Sequence, residues 1–387
     1  MFHIFIQPER FFLNVRRFSS SAFFSSSASS SSLSTTRRRC AIIGAPFSWG
    51  QPKAGTDLAP SLFRNSSLVT SIESLKWNTI DLGDVIYTEN TFEEKIDKST
   101  IIQNGLIPGL KNQVQVGQGN LAICNAVKNA SRENDFVLTL GGDHSIALGS
   151  ISGILARSQI NKKNIPIDIE GIQTNKSSII QPHHSSPADL AVLWIDAHAD
   201  INDPITSPSG NIHGMPLSFL LRLFDPTRVE GFEWLSQIPM LNKERLCYIG
   251  LRDLDQGEKE FIKKLGIKAF TMQDIDRHGI GKVMELAIEH IQRKLPGMSY
   301  AVPIPLHLSF DIDSIDPSVA PSTGTRVKGG LSYREAHYVC EAAAETGLLQ
   351  SMDMVEVNPN LGNKDEANTT INLAIELVQS ALGKSII

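Results

Sequence analysis

The sequence predicts an α/β protein of three layers, with helices on both faces of a central, mostly parallel, eight-stranded sheet. Three observations carry that expectation. Leu190-Ala-Val-Leu-Trp-Ile195 is an unbroken apolar run, as in a strand buried on both faces. Strand-like and helix-like patterns alternate about eight times, the order that builds a parallel sheet with covering helices. Histidines and acids follow three of the strands directly, and open α/β sheets form their sites at strand carboxyl ends.

The chain of 387 residues is long enough for one large α/β domain or two smaller ones. Its 41% hydrophobic and 20% charged content is that of an ordinary globular protein. A formal net charge of −5 gives no bulk attraction for nucleic acid. No apolar run reaches the roughly 18 residues of a membrane span. Cys40, Cys124, Cys247 and Cys340 are scattered, without a CxxC pair, and read as buried reduced thiols.

Residues 1–39 form a leader of different composition. The first 40 residues hold six arginines, eleven serines and one acid, Glu9, a charge of +5 that leaves −10 on the rest. Rich in Arg and Ser and poor in acid, with Phe2, Ile4, Phe5, Phe11, Phe12 and Leu13 interspersed, the leader reads as a mitochondrial transit peptide. The expected location is the mitochondrial matrix, with the cytoplasm as the alternative. Arg16-Arg17-Phe18-Ser19 resembles a matrix-protease cleavage site.

The main folded domain is expected to span residues 40–387. It opens with a strand from Arg39 to a Gly/Pro turn at Gly44-Ala-Pro46, then a Gly-punctuated loop and a helix from Leu58 to Asn65. Asn78 to Gly83 reads as a strand, residues 86–112 as unpatterned, Gly119 to Arg132 as a helix and 135–140 as a strand. Residues 159–188, with Lys162-Lys163, two prolines before His183-His184 and Ser185-Ser186-Pro187, read as an exposed insertion. The histidine pair there reads as solvated rather than metal-binding.

After the apolar strand a long loop, 201–212, leads to a helix from Pro216 to Phe224. Strand 245–249, helix 256–264, strand 267–271 and a long helix over 279–293 follow. Strand 306–310, helix 332–345, strand 351–357 and helix 369–382 complete the series.

The chemistry lies at the strand ends. Leu190–Ile195 runs into Asp196-Ala-His198-Ala-Asp200. Alternate positions on an extended segment share a face, so the three side chains are expected to point together. Leu306–Phe310 runs into Asp311-Ile-Asp313, and Val137–Leu140 into Gly141-Gly-Asp-His144-Ser145. Any one of these acids alone reads as a helix cap; three strand ends with the same chemistry read as two adjacent cation sites. Asp196 and Asp311 are best placed to bridge, with His144 and Asp200 completing one site and His198 and Asp313 the other. Mixed O/N donors suit Mn²⁺, Fe²⁺ or Zn²⁺, and the carboxylate excess favours the harder Mn²⁺.

Gly141-Gly-Asp-His-Ser145, Asp196-Ala-His-Ala-Asp-Ile-Asn202 and Ser309-Phe-Asp-Ile-Asp-Ser-Ile-Asp-Pro317 resemble the three signatures of the ureohydrolases. More narrowly the chain resembles the arginases. Gly44–Ser48, Gly250-Leu-Arg-Asp253, Gly329–Arg334 and Met354-Val-Glu-Val-Asn-Pro359 match as well. The likeness covers about residues 39–385, apart from 159–188. It implies two Mn²⁺ per subunit, and a metal-bridging hydroxide that attacks the guanidinium carbon of L-arginine to give L-ornithine and urea. His213 matches the active-site histidine, a proton shuttle suited to neutral pH. Glu356 matches the acid near the guanidinium, and Asp200 stands among the catalytic residues as well as the ligands. Asp143, which precedes His144, is expected to orient it. Asn202, Ser209 and Asn211 match positions that hold the α-carboxylate, Asp255 one that meets the α-amino group, and Thr325 a further pocket position. Assembly as a homotrimer or homohexamer is also implied.

The competing enzyme reading is an agmatinase or another amidinohydrolase. Agmatine lacks the carboxylate, so a Ser209-Gly-Asn211 loop argues for arginine, although turn chemistry alone accounts for that loop too. A metal-binding pseudoenzyme is the reading from another class, and the presence of all six ligands with His213 argues against it. The 159–188 insertion and Ser207-Pro208, where many animal arginases carry threonines, depart from the family pattern.

Overall fold

A computed structural model describes residues 37–86, 109–157, 190–296 and 303–385. The leader and the 159–188 insertion therefore lie outside the described residues. Eight strands form one sheet: β1 Arg39–Ala45, β2 Asn78–Asp84, β3 Phe136–Gly141, β4 Ala191–Ile195, β5 Leu246–Leu251, β6 Lys268–Thr271, β7 Leu306–Asp311 and β8 Leu349–Val355. Their order across the sheet is β2-β1-β3-β8-β7-β4-β5-β6, and every pairing is parallel. The expected α/β sheet is present, and its pairing is parallel throughout.

The helices in chain order are α1 Ala59–Asn65, α2 Leu68–Ser74, α3 Gln113–Glu133, α4 Ala147–Arg157, α5 Pro216–Leu220, α6 Gln256–Leu265, α7 Met272–His278, α8 Ile280–Gln292, α9 Tyr333–Glu345 and α10 Lys364–Ala381. They cover two separate apolar cores, one on each face of the sheet. Strand β4 shows why its sequence has no polar alternation. Ala191, Leu193 and Ile195 enter one core beside Val283, Val339 and Ala374, while Val192 and Trp194 enter the other beside Val127, Ile151 and Phe219. The four cysteines are free and buried in these cores, and burial pushes the thiols of Cys40 and Cys124 up to about 12.

Several boundaries differ from the sequence expectation. Helix α3 begins six residues earlier than Gly119, because Gly117 and Gly119 serve packing rather than termination. A side chain at Gly117 would strike the backbone of Gly231, and one at Gly119 the ring of Phe47. The helix expected over 216–224 stops at Leu220. Arg222 turns to φ +55, and its guanidinium donates to the carbonyls of Phe219, Leu235 and Ile238. Helix α10 starts at Lys364 rather than 369, fixed by a capping box between Asn363 and Glu366. Helix α7, unexpected from the sequence, has the same device between Thr271 and Asp274. Strand β8 lies two residues earlier than expected and leaves Glu356 just outside it.

The candidate metal centre

Strands β3, β8, β7 and β4 are consecutive in the middle of the sheet. Their carboxyl ends therefore deliver His144, Glu356, Asp311 and Asp196 to one place. Three of the ends turn in the same way. Asp143 Oδ1 accepts the N–H of Ser145 at 3.0 Å, Asp196 Oδ1 that of His198 at 2.8 Å, and Asp311 Oδ1 that of Asp313 at 2.7 Å. An Asx turn of this kind stops a strand and turns the next side chains over the sheet edge. At Gly142 a Cβ would lie 2.5 Å from the carbonyl oxygen of Phe47, so only glycine lets that turn close.

The expected convergence of Asp196, His198 and Asp200 is present, but its geometric basis is different. The segment is not extended: β4 ends at Ile195, the chain bends, and Asp200 adopts φ +50. The three side chains consequently divide between two groups. His144 Nδ1 lies 3.1 Å from Asp196 Oδ2, 3.0 Å from Asp200 Oδ2 and 3.1 Å from Asp311 Oδ2. His198 Nδ1 lies 3.4 Å from Asp196 Oδ1 and 3.2 Å from Asp313 Oδ2. Asp196 thus presents one oxygen to each group. His144–Asp196–Asp311 and Asp196–His198–Asp313 each have donor atoms close enough together to hold one ion.

His144 is fully buried, and its Nδ1 has no hydrogen-bond partner despite three nearby carboxylates. Its Nε2 is 2.9 Å from Ser309 Oγ, and its ring stacks on Trp194 with centroids 4.1 Å apart. Trp194 Nε1 in turn donates to Asp196 Oδ2 at 3.0 Å. Burial, then repulsion from Asp313 and Asp196, raises Asp311 well above the carboxylate range. Burial and Asp196 carry Asp200 up to about 6. Asp196 goes the other way, held low against burial by the two imidazoles. Crowded carboxylates around an imidazole with a free nitrogen are the electrostatic problem that a cation solves.

Glu356 stands beside this cluster at φ +61, a strained conformation for a residue other than glycine. Its Oε1 accepts the N–H of His144 at 2.8 Å and lies 3.0 Å from His213 Nδ1, while its buried Oε2 has no partner. Burial opposes charge on His213, yet Glu356 overrides it and carries the imidazole up to about 9.

The remaining expected residues fall into two sets. Asn202 Nδ2 donates to Asp255 Oδ2 at 2.8 Å, so these two meet. Ser209 is exposed, its Oγ accepting the N–H of buried Asn211 at 3.2 Å in the loop that leads to His213. Thr325 donates to Asp313 Oδ2 at 2.5 Å and lines, with His198, a cleft of about 570 Å³. Asn202, Ser209, Asn211 and Asp255 are not on that cleft's lining. The sequence reading assigned no roles to Trp194, Ser309, Arg252 or Lys53. Arg252 donates to the carbonyls of Gly250, Asp313, Ser314 and Val327, tying the turn after β7 to the end of β5. Its place in the quoted Gly250-Leu-Arg-Asp253 motif was the available signal.

Known proteins share both the fold and the sequence around this cluster. A profile described as the Arginase family matches residues 38–383. The hepatic arginase of Aquarana catesbeiana is 41% identical over 347 residues, covering 89% of this chain and 92% of its own. An arginase of Schizosaccharomyces pombe is 40% identical over 90% of this chain and 93% of its own. The crystal structure of the Bacillus cereus arginase superposes with a TM-score of 0.70 at 34% identity, covering 90% of this chain and all of that one. With a family match running from the first strand to beyond the last helix, and through all four strand ends that build the cluster, the chain belongs to the arginase family.

Proposed function

We propose that this enzyme is a binuclear manganese hydrolase that cleaves the guanidinium group of L-arginine to L-ornithine and urea. The observation that carries the reading is the orphaned Nδ1 of buried His144, ringed at 3.0–3.1 Å by three carboxylate oxygens. The donor set fits two cations. His144, Asp200, Asp196 and Asp311 would hold one, and His198, Asp313, Asp196 and Asp311 the other. Two imidazoles among four carboxylates suit Mn²⁺. When bound, such a pair would supply Lewis-acid charge and would acidify a bound water.

The chain's own residues do the rest. The free Oε2 of Glu356 is a charged acceptor for the N–H groups along one edge of a guanidinium, the planar group that carboxylates recognise best. Glu356 Oε1 orients His213 and keeps it protonated near neutral pH, so His213 can give a proton to the departing amine. Asn202, Ser209 and Asn211 hold the α-carboxylate, Asp255 the α-amino group, and Thr325 steadies Asp313. The Entamoeba histolytica arginase solved in complex with L-ornithine is 26% identical to this chain, with a TM-score of 0.69.

Urea release from the full chain, with and without Mn²⁺, on arginine and agmatine separately, tests the reading. Mn²⁺-dependent urea from arginine that disappears in Asp196→Ala supports it. Turnover of agmatine alone would overturn the substrate, and no turnover of either would overturn the activity. The leader's composition further supports import into the mitochondrial matrix, tested by protease protection of the chain in isolated mitochondria. The family resemblance supports a homotrimer or homohexamer, tested by light scattering.

A further inference from the structure

The cleft beside the metal centre is lined by groups of both charges. His198 and Asp253 line it, with Asp253 Oδ2 4.0 Å from His198 Nε2 and its side chain 67% exposed. Lys53 and Arg326 line it as well. Neither cation has an acidic partner within ion-pair distance among the described residues.

Lys53 is held in place. Its N–H donates to Gln51 Oε1 at 2.7 Å, and its carbonyl accepts from Asn358 Nδ2 at 3.3 Å and from Gln51 Nε2. Gln51 and Asn358 are themselves buried, so the loop is clamped on both sides. The Lys53 ammonium donates to the carbonyl of Gly324. A Cβ on Gly324 would lie 3.8 Å from Glu356 Oε2, 3.9 Å from Gln51 Oε1 and 4.0 Å from Lys53 Cδ. The glycine thus leaves one small space that faces the unpaired oxygen of Glu356 and the Lys53 stem together. A guanidinium seated on Glu356 would extend its chain past Gly324 toward the cleft that Lys53 lines.

We propose that Lys53 is a specificity-determining residue, its ammonium pairing with the α-carboxylate of the substrate and repelling the terminal ammonium of a decarboxylated analogue. This rests on the reading of the chain as a guanidinium hydrolase, and it adds Lys53 to the Ser209–Asn211 loop as a carboxylate contact. The cation does two things. It stabilises a charge that arginine has and agmatine lacks, and it opposes a ligand whose near end is positive. Lysine suits a single carboxylate contact as a point charge on a flexible stem, and arginine can replace it.

The test compares the wild-type full chain, loaded with Mn²⁺, with Lys53→Met and Lys53→Arg, each checked for an unchanged melting temperature. Kinetics on arginine and agmatine are read beside calorimetric binding of L-ornithine and 1,4-diaminobutane. Lys53→Met is expected to raise KM for arginine about tenfold, leave kcat within about twofold, and leave or lower KM for agmatine. L-Ornithine binding should weaken in parallel while 1,4-diaminobutane binding does not, and Lys53→Arg should stay near wild type. An arginine-to-agmatine KM ratio that stays within about twofold in Lys53→Met, with L-ornithine binding unchanged, overturns the proposal. If the wild type releases no urea, the hydrolase reading fails, and the L-ornithine comparison still decides the role of Lys53.

Discussion

Glu356 Oε1 lies 3.0 Å from His213 Nδ1 and accepts the N–H of His144 at 2.8 Å, so one carboxylate oxygen joins His213 to the His144–carboxylate cluster. Against burial, Glu356 is the main group favouring the charged form of His213, with Asp200 and Asp143 adding to it.

The pH dependence follows directly. His213 is raised to about 9, above its unfolded value, so its charged form is favoured in the folded enzyme. The stability it contributes is fully present below its ordinary value near 6.5 and is lost as pH rises through about 9. In its proposed role as proton donor to the amine, His213 should place the alkaline limb of the kcat/KM profile near its own pKa. In Glu356→Gln the contact and its charge go while Asp200 and Asp143 still favour the charged imidazole, so the alkaline limb should move to lower pH on top of a lower rate. A limb that stays put would show that another group titrates there.

Metal loading should follow the two groups separately. Elemental analysis of the wild type is expected to give about two Mn²⁺ per chain, and His198→Ala about one. Ser309→Ala removes the partner of His144 Nε2 and should weaken the first site by about 10–100-fold without lowering the second. EDTA should lower the melting temperature by several degrees and added Mn²⁺ restore it, as for any ligand that binds only the folded state. Full loading of Asp196→Ala would contradict the shared role of that carboxylate.

Substrate recognition gives a different signature. Asn211→Ala should raise KM for arginine about 10- to 150-fold, the loss of one charged hydrogen bond of roughly 1.5–3 kcal/mol, and leave agmatine unaffected. Equal losses on both substrates would make the loop a scaffold for His213 only.

Arg252 supports the site from behind. Arg252→Lys keeps the charge but cannot reach the carbonyls of Gly250, Asp313, Ser314 and Val327 together. We expect a loss of about 2 kcal/mol on denaturant unfolding, with weaker Mn²⁺ binding at the Asp313 site. Wild-type stability in this variant would remove Arg252 from the support of the site.

The sequence by itself determined the strands, most of the helices between them and the residue types at three strand ends. Those features are local: an apolar run such as Leu190–Ile195 has one use, and an Asp two residues before a turning N–H makes its own Asx turn. Helix starts were less legible where the signal was long-range, as at Gly117 and Gly119, whose glycines answer to Gly231 and Phe47. Only the tertiary structure decided which strand lies beside which. Pattern leaves strand order open, and the order β3-β8-β7-β4 is what sets residues 144, 356, 311 and 196 side by side. It also decided the division of Asp196, His198 and Asp200 between two groups, because a bend and a left-handed Asp200 replace the straight strand that spacing suggested. The positions of Lys53 on one cleft with Asp253 and of Arg252 behind Asp313 depend on contacts between distant loops, which local sequence does not encode.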